Sequence, residues 1–182
     1  VESTYGDRSH GNEDSATLLA DVIARTAARG GKVVIPAFAV GRAQALLYQI
    51  LLLKRASRIP DLPVFLDSPM AIDSTDIYRR HHAEHRLSAQ DCQAMSHAAK
   101  FCRTVEQSRE LSALAYPAII ISASGMATGG RILHHLRNFG PDHRTSIVLA
   151  GFQAGGTRGA RLAAGERELR IFGEDVRINA EV

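Results

Sequence analysis

Four short runs rich in β-branched or aromatic apolar residues decide what this chain can fold into: Lys32 to Pro36 (KVVIP), Pro63 to Asp67 (PVFLD), Ala118 to Ile121 (AIII) and Thr145 to Gly151 (TSIVLAG). Each is too short for a buried helix and is bounded by glycine, proline or serine, so each reads as a buried strand. Longer stretches of helical period lie between them. Strands alternating with helices form βαβ units, which give a mainly parallel sheet covered on both faces. The expected class is therefore α/β, a Rossmann-like arrangement of three layers.

The intervening stretches carry their own punctuation. Asn12 or Asp14 is placed to cap a helix with Leu18, Leu19, Val22 and Ile23 on one face, and Gly30-Gly31 stops it. Gly41 to Ser57 reads as a long, largely buried helix, and Ser68-Pro69 opens the next with proline at its favoured first-turn position. Lys54, Arg55 and Arg58 gather where cations suit the negative end of a helix dipole, which explains them without a nucleic-acid partner. Residues 73 to 112 are polar and weakly patterned, with helices expected around Asp73 to His85, Ser88 to Ala99 and Val105 to Leu114. A hairpin around Gly173 to Asp175 is expected to close the chain.

With 182 residues and 45% hydrophobic content, one compact domain is enough to hold the core. No apolar run reaches the length of a membrane span, no signal pattern opens the chain, and Cys92 and Cys102 are the only cysteines, so a reducing cytoplasmic setting is expected. A net charge of +3 makes this no strongly basic nucleic-acid arm. Only Lys32, Lys54 and Lys100 are lysines; the other cations are arginines, whose planar fork suits phosphate, although codon bias explains the preference equally well.

Ligands on parallel sheets sit beyond the C-terminal strand ends. Those ends are Pro36 to Arg42, Asp67 to Met70, Ser122 to Arg131 and Gly151 to Gly159, and they are expected to converge on one rim. Within Ala118 to Arg137, a strand runs into a small-residue turn and then a helix, a context in which backbone N–H groups point outward and attract anions. Ser122, Ser124, Gly125, Gly129, Gly130 and Arg131 are the candidate phosphate holders, joined on the rim by Arg42, Ser68, Gly155, Gly156 and Thr157. Such a turn also serves simply to pack a helix on a sheet. No aromatic stacking platform stands out, so readout of bases is not expected.

Other chemistries find less support. His81, His82 and His85 invite a metal, yet their order is not that of a metalloprotease and arginines flank them. Cys92, His97 and Cys102 lack a paired CxxC. His134 or His135 is placed to reach a bound phosphate or else forms an exposed pair. No nucleophile elbow or Walker lysine is present, and spacing alone stops at an anion-binding α/β domain, free-standing or not.

Five ordered blocks carry a resemblance: ESTYGDR at Glu2 to Arg8, IPAFAVGRAQ at Ile35 to Gln44, LDSPMA at Leu66 to Ala71, SASGMATGGR at Ser122 to Arg131 and GFQAGGTRG at Gly151 to Gly159. Together they resemble the β-CASP domain of metallo-β-lactamase-fold nucleases that process RNA, closest in style to the bacterial and archaeal RNA-specific members related to the endonuclease of mRNA 3′-end cleavage. The resemblance implies a cap inserted into a zinc-binding core, with a groove for RNA between the two. It further implies two zinc ions in the parent that activate a hydroxide against the phosphodiester. Glu2 would lie near that centre and support a histidine ligand. The family's HxHxDH motif, its later aspartate and its two downstream histidine motifs are absent from this sequence. Residues 1 to 182 are thus expected to be a single β-CASP domain cut from a larger chain, inactive alone and without a metal of its own. The expected partners are RNA, its own metallo-β-lactamase core and, as a further possibility, a second copy; no membrane is expected.

Overall fold

The computed structural model describes Gly6 and residues 14–182. Its centre is a five-stranded sheet, all parallel, made of β1 (Lys32–Pro36), β2 (Val64–Asp67), β3 (Lys100–Phe101), β4 (Ala118–Ser122) and β5 (Ser146–Ile147), in the order β3-β2-β4-β1-β5. β4 lies in the middle, with Ile119, Ile120 and Ile121 opposite Val33, Val34 and Ile35 of β1.

Side chains alternate across the pleat, so each strand feeds two cores. Val33, Ile35, Val64, Leu66, Ile119 and Ile121 face α1 (Ser15–Ala28), α2 (Arg42–Arg55), α3 (Pro69–Arg80) and α4 (Ala89–His97). Val34, Phe65, Ala118, Ile120 and Ile147 face the other way, toward α5 (Val105–Leu111), α6 (Ile132–Phe139), α7 (Arg158–Ala163) and a separate antiparallel pair, β6 (Glu168–Ile171) and β7 (Glu174–Arg177). The three-layer α/β expectation holds.

Helix starts follow local chemistry. The Asp14 carboxylate accepts from Ala16 N at 3.2 Å, the Ser68 hydroxyl from Ala71 N at 3.3 Å ahead of Pro69, and Thr157 Oγ1 from Ala160 N at 3.1 Å. Gly31 permits a close crossing: a Cβ there would stand 1.7 Å from the Arg144 carbonyl oxygen.

Two expectations are corrected and one strand is added. The helix expected to reach His85 ends at Arg80 and gives way to a 3-10 turn over His82–Glu84, because HHAEHR offers no apolar stripe to pack. β3 is an edge strand of two residues, too short to leave a periodic signal. The 145–151 strand pairs only over Ser146–Ile147 before Val148 N bonds the Val34 carbonyl at 2.9 Å and the chain turns toward the second glycine-rich loop. Among the described residues no helix is long and apolar enough to cross a membrane.

Candidate nucleic-acid interface

The C-terminal strand tips meet at β4. Ser122, its last residue, lies opposite Pro36 on one side and Asp67 on the other, and its carbonyl accepts from Ala37 N at 2.9 Å. The loop that follows is closed by Ser124, whose Oγ accepts from Thr128 N at 3.1 Å and Gly129 N at 3.3 Å. Gly130 takes a φ of +77°, and a Cβ there would fall 2.5 Å from the Ala123 carbonyl oxygen, so glycine is required twice over. Among the described residues the N–H groups of Gly130 and Arg131 meet no backbone acceptor at the entrance to α6.

The second glycine-rich loop packs directly on the first. Gln153 Nε2 donates to the Gly125 carbonyl at 3.1 Å, Gly159 N to the Met126 carbonyl at 3.0 Å, and Arg158 Nη1 to the Ala127 carbonyl at 3.3 Å. Gly155 and Gly156 are exposed at its tip, while Thr157 is half-buried as the cap of α7. Both loops therefore share one rim, as the parallel direction of the strands requires. Arg42, in the first turn of α2, is exposed beyond the β1 tip; its backbone N–H donates to the Val40 carbonyl at 3.0 Å, while its guanidinium forms no hydrogen bond or ion pair with the other described residues.

Several candidate phosphate holders face inward instead. Ser122 is 1% exposed and its hydroxyl donates to the Asp67 carbonyl at 2.8 Å. Ser68 is buried as the cap of α3, and Gly125 is buried beneath Phe38. Arg131 is committed through both Nη atoms: Nη1 to Asp67 Oδ1 and to the Cys102 carbonyl, both at 2.8 Å, and Nη2 to the Arg103 carbonyl at 2.9 Å. Its fork clamps the β2, β3 and β4 ends together and is not free for a phosphate. Gly129, Gly130, Arg42, Gly155, Gly156 and Thr157 remain on the surface of the rim. Glu2 lies outside the described residues.

Under the rim sits a buried charge cluster centred on Asp67. Its Oδ1 takes Arg131, while Oδ2 accepts from Ser108 Oγ at 2.6 Å and from His135 Nε2 at 2.7 Å. Burial pushes the Asp67 carboxyl up, but hydrogen bonds from His135, Ser108 and Arg131 outweigh it and hold the group below the usual carboxylate range. With Nε2–H directed at Asp67, the buried Nδ1 of His135 has no partner among the described residues. The adjoining Cys102 thiol is pushed up to about 11, by burial first and by the Asp67 charge second.

The Beta-Casp domain model matches residues 43–162, which include the β2 tip, the loop closed by Ser124, and all of the second glycine-rich loop. The chain belongs to the β-CASP family. Among curated relatives it is 36% identical over 189 residues to Ribonuclease TTHA0252 of Thermus thermophilus, the match taking in all of this chain and 43% of that protein. It is 35% identical over 199 residues to Transcription termination factor FttA of Thermococcus kodakarensis, with all of this chain and 30% of the relative covered. An RNase J-like protein of Methanocaldococcus jannaschii is 31% identical over 195 residues, again with 43% of its length matched. The chain thus spans less than half the length of these relatives.

Sequence reasoning about this β-CASP domain missed the Asp67 cluster, although two signals were present. An aspartate closing an apolar strand (PVFLD) has to find partners, and His135 lies on the apolar stripe Ile132, His135, Leu136, Phe139 at i, i+3, i+4 and i+7. His135 is accordingly buried and unavailable to a ligand, whereas His134 packs on the exposed Phe172 ring at a centroid distance of 4.5 Å. Among the described residues no group of three or more histidine, cysteine, aspartate or glutamate side chains is placed to hold a metal ion. His81 pairs with Glu84 at 2.9 Å, and His85 turns to the Tyr78 carbonyl at 3.0 Å, so the two do not share a helix face.

Proposed function

We propose that this chain is the RNA-binding cap of a zinc-dependent ribonuclease of the metallo-β-lactamase fold, and that it does not cleave RNA alone. The supporting observation is the seam between the two glycine-rich loops, which brings together the backbone N–H groups of Gly130 and Arg131 and the exposed Gly155-Gly156 turn, with the uncommitted guanidinium of Arg42 at the start of α2 beyond the neighbouring β1 tip. Backbone N–H donors and an uncommitted guanidinium favour the phosphodiester backbone and read no base edge. Two relatives carry ribonuclease names, and the missing share of their length is where the zinc-binding core and its hydrolytic chemistry would reside.

The test is fluorescence anisotropy of a single-stranded RNA oligomer titrated with this chain across a salt series. Arg42→Ala should weaken binding at low salt and reduce the slope of log affinity against log salt by about 0.7, the single-strand value for one phosphate contact. An unchanged slope, or no binding by the unaltered chain, would refute the rim as the RNA site.

A further inference from the structure

A cavity of about 610 Å³ opens at the β3 edge of the sheet and shares no residue with the rim. Its size lies within the range of small-molecule sites, roughly 300 to 1,000 Å³. The walls follow from the local sequence. α3 stops at Arg80, where HHAEHR gives it nothing to pack, and the chain restarts in α4, whose cap is the Ser88 hydroxyl accepting from Asp91 N at 3.0 Å. Cys92 and Met95 turn one side of α4 into the core, which leaves Gln93, Ser96 and His97 on the cavity wall with Asp76 and Arg79 of α3. His82 joins them from the 3-10 turn, and the half-buried Phe101 of β3 contributes an apolar surface.

The polar groups of this cavity divide by sign. Its one carboxylate, Asp76, is already taken, since Arg103 Nη2 donates to it at 3.1 Å while Nη1 donates to Asp73 at 2.7 Å. The side chains of Arg79, His82, Gln93 and His97 form no hydrogen bond or ion pair with the other described residues. What stays uncommitted is one guanidinium, two imidazoles and an amide, each of them a donor. Asp76, His82 and His97 are not placed to hold a metal ion, so the complement of this set is an anion. A carboxylate would engage the guanidinium fork alone. The three acceptor oxygens of a phosphomonoester match the guanidinium together with both imidazoles, and Phe101 offers a surface to the organic body that carries the phosphate.

We infer that the cavity between α3 and α4 is a second ligand site, for a phosphorylated small molecule of nucleotide size, separate from the rim and independent of the RNA-binding reading above. The test is isothermal titration of this chain with adenosine 5′-monophosphate, with adenosine and inorganic phosphate titrated alongside. The monophosphate should bind more tightly than either of its halves. Arg79 is exposed and unpaired, so Arg79→Gln spares the fold; it should weaken the monophosphate about tenfold, the loss of one charge-assisted contact. The double variant His82→Ala with His97→Ala should weaken it as well, and Arg42→Ala on the rim should leave it unchanged.

No binding of the monophosphate by the unaltered chain would overturn the inference, and so would equal binding of adenosine or of inorganic phosphate. Loss of the monophosphate in Arg42→Ala with its retention in Arg79→Gln would assign the binding to the rim and overturn it too.

Discussion

Replacing Asp67 by Asn tests whether the buried cluster holds the rim in place. The carboxylate is fully buried and accepts from three donors, one of them a guanidinium whose side chain is only 20% exposed. Asn keeps the shape but supplies one acceptor and two N–H donors. With its oxygen toward Ser108 and His135, its amide group confronts Arg131, donor against donor. Flipped, it satisfies Arg131 and presents N–H to His135, whose only way to accept is to move its proton to Nδ1, which has no partner. Either orientation loses one charge-assisted hydrogen bond and strands a buried donor, together about 3 kcal/mol at neutral pH. For a domain of this size each kcal/mol shifts Tm by roughly 2 to 4 °C, so a drop of about 6 to 12 °C is expected in thermal unfolding followed by circular dichroism. Because the Asp67 pKa is lower in the folded protein than in the unfolded chain, its contribution is complete above about pH 4 and fades as pH falls through the folded value. The gap between the two proteins should therefore narrow on acidification below pH 4. Arg131→Ala should be destabilising too and fall well short of additive with Asp67→Asn, since both remove the same contact. A Tm change below ~2 °C for Asp67→Asn, or a gap that widens in acid, would refute this account of the cluster.

Two other sites give direct outcomes. Gly125→Ala forces a methyl against both the Phe38 ring and its backbone nitrogen at 2.8 Å, and an overpacked site of this kind should lose about 2 to 3 kcal/mol in thermal unfolding. Glu181 is clasped by Arg25 through its side chain, against the opposing effect of burial, and then by Arg29 and Ser146, which brings its pKa down to about 2. With the side chain about a third exposed, the clasp is worth at most ~1 kcal/mol, present above about pH 4.3 and lost between there and about 2; Glu181→Gln should abolish that part of the acid sensitivity in a series of unfolding curves.

The parts of this molecule that were legible in its sequence are those where one local rule suffices. Val33 to Ile35 and Ile119 to Ile121 are buried on both faces of the sheet and show it as unbroken apolar runs, and Asp14, Ser68 and Thr157 cap helices by contacts within three residues. The rim was legible as a place, because parallel strands bring their C-terminal ends to one side whatever their order. What each rim residue does was not. Arg131 in a glycine-rich turn looks like a phosphate ligand until β2 and β3 arrive with Asp67 and the Cys102 and Arg103 carbonyls, partners 64, 29 and 28 residues away in the chain. Phe38 shows the reverse case. Within the strand-tip stretch Pro36 to Arg42 nothing local marks its exposure, and only the turn back to Ala43 and the bare backbone of Gly125 seat its ring. The two assignments are physically linked. By drawing the guanidinium down to Asp67, the fold leaves the glycine-rich loop beside Phe38 with backbone donors and no uncommitted guanidinium of its own, whereas Arg42, four residues beyond Phe38, keeps its guanidinium exposed.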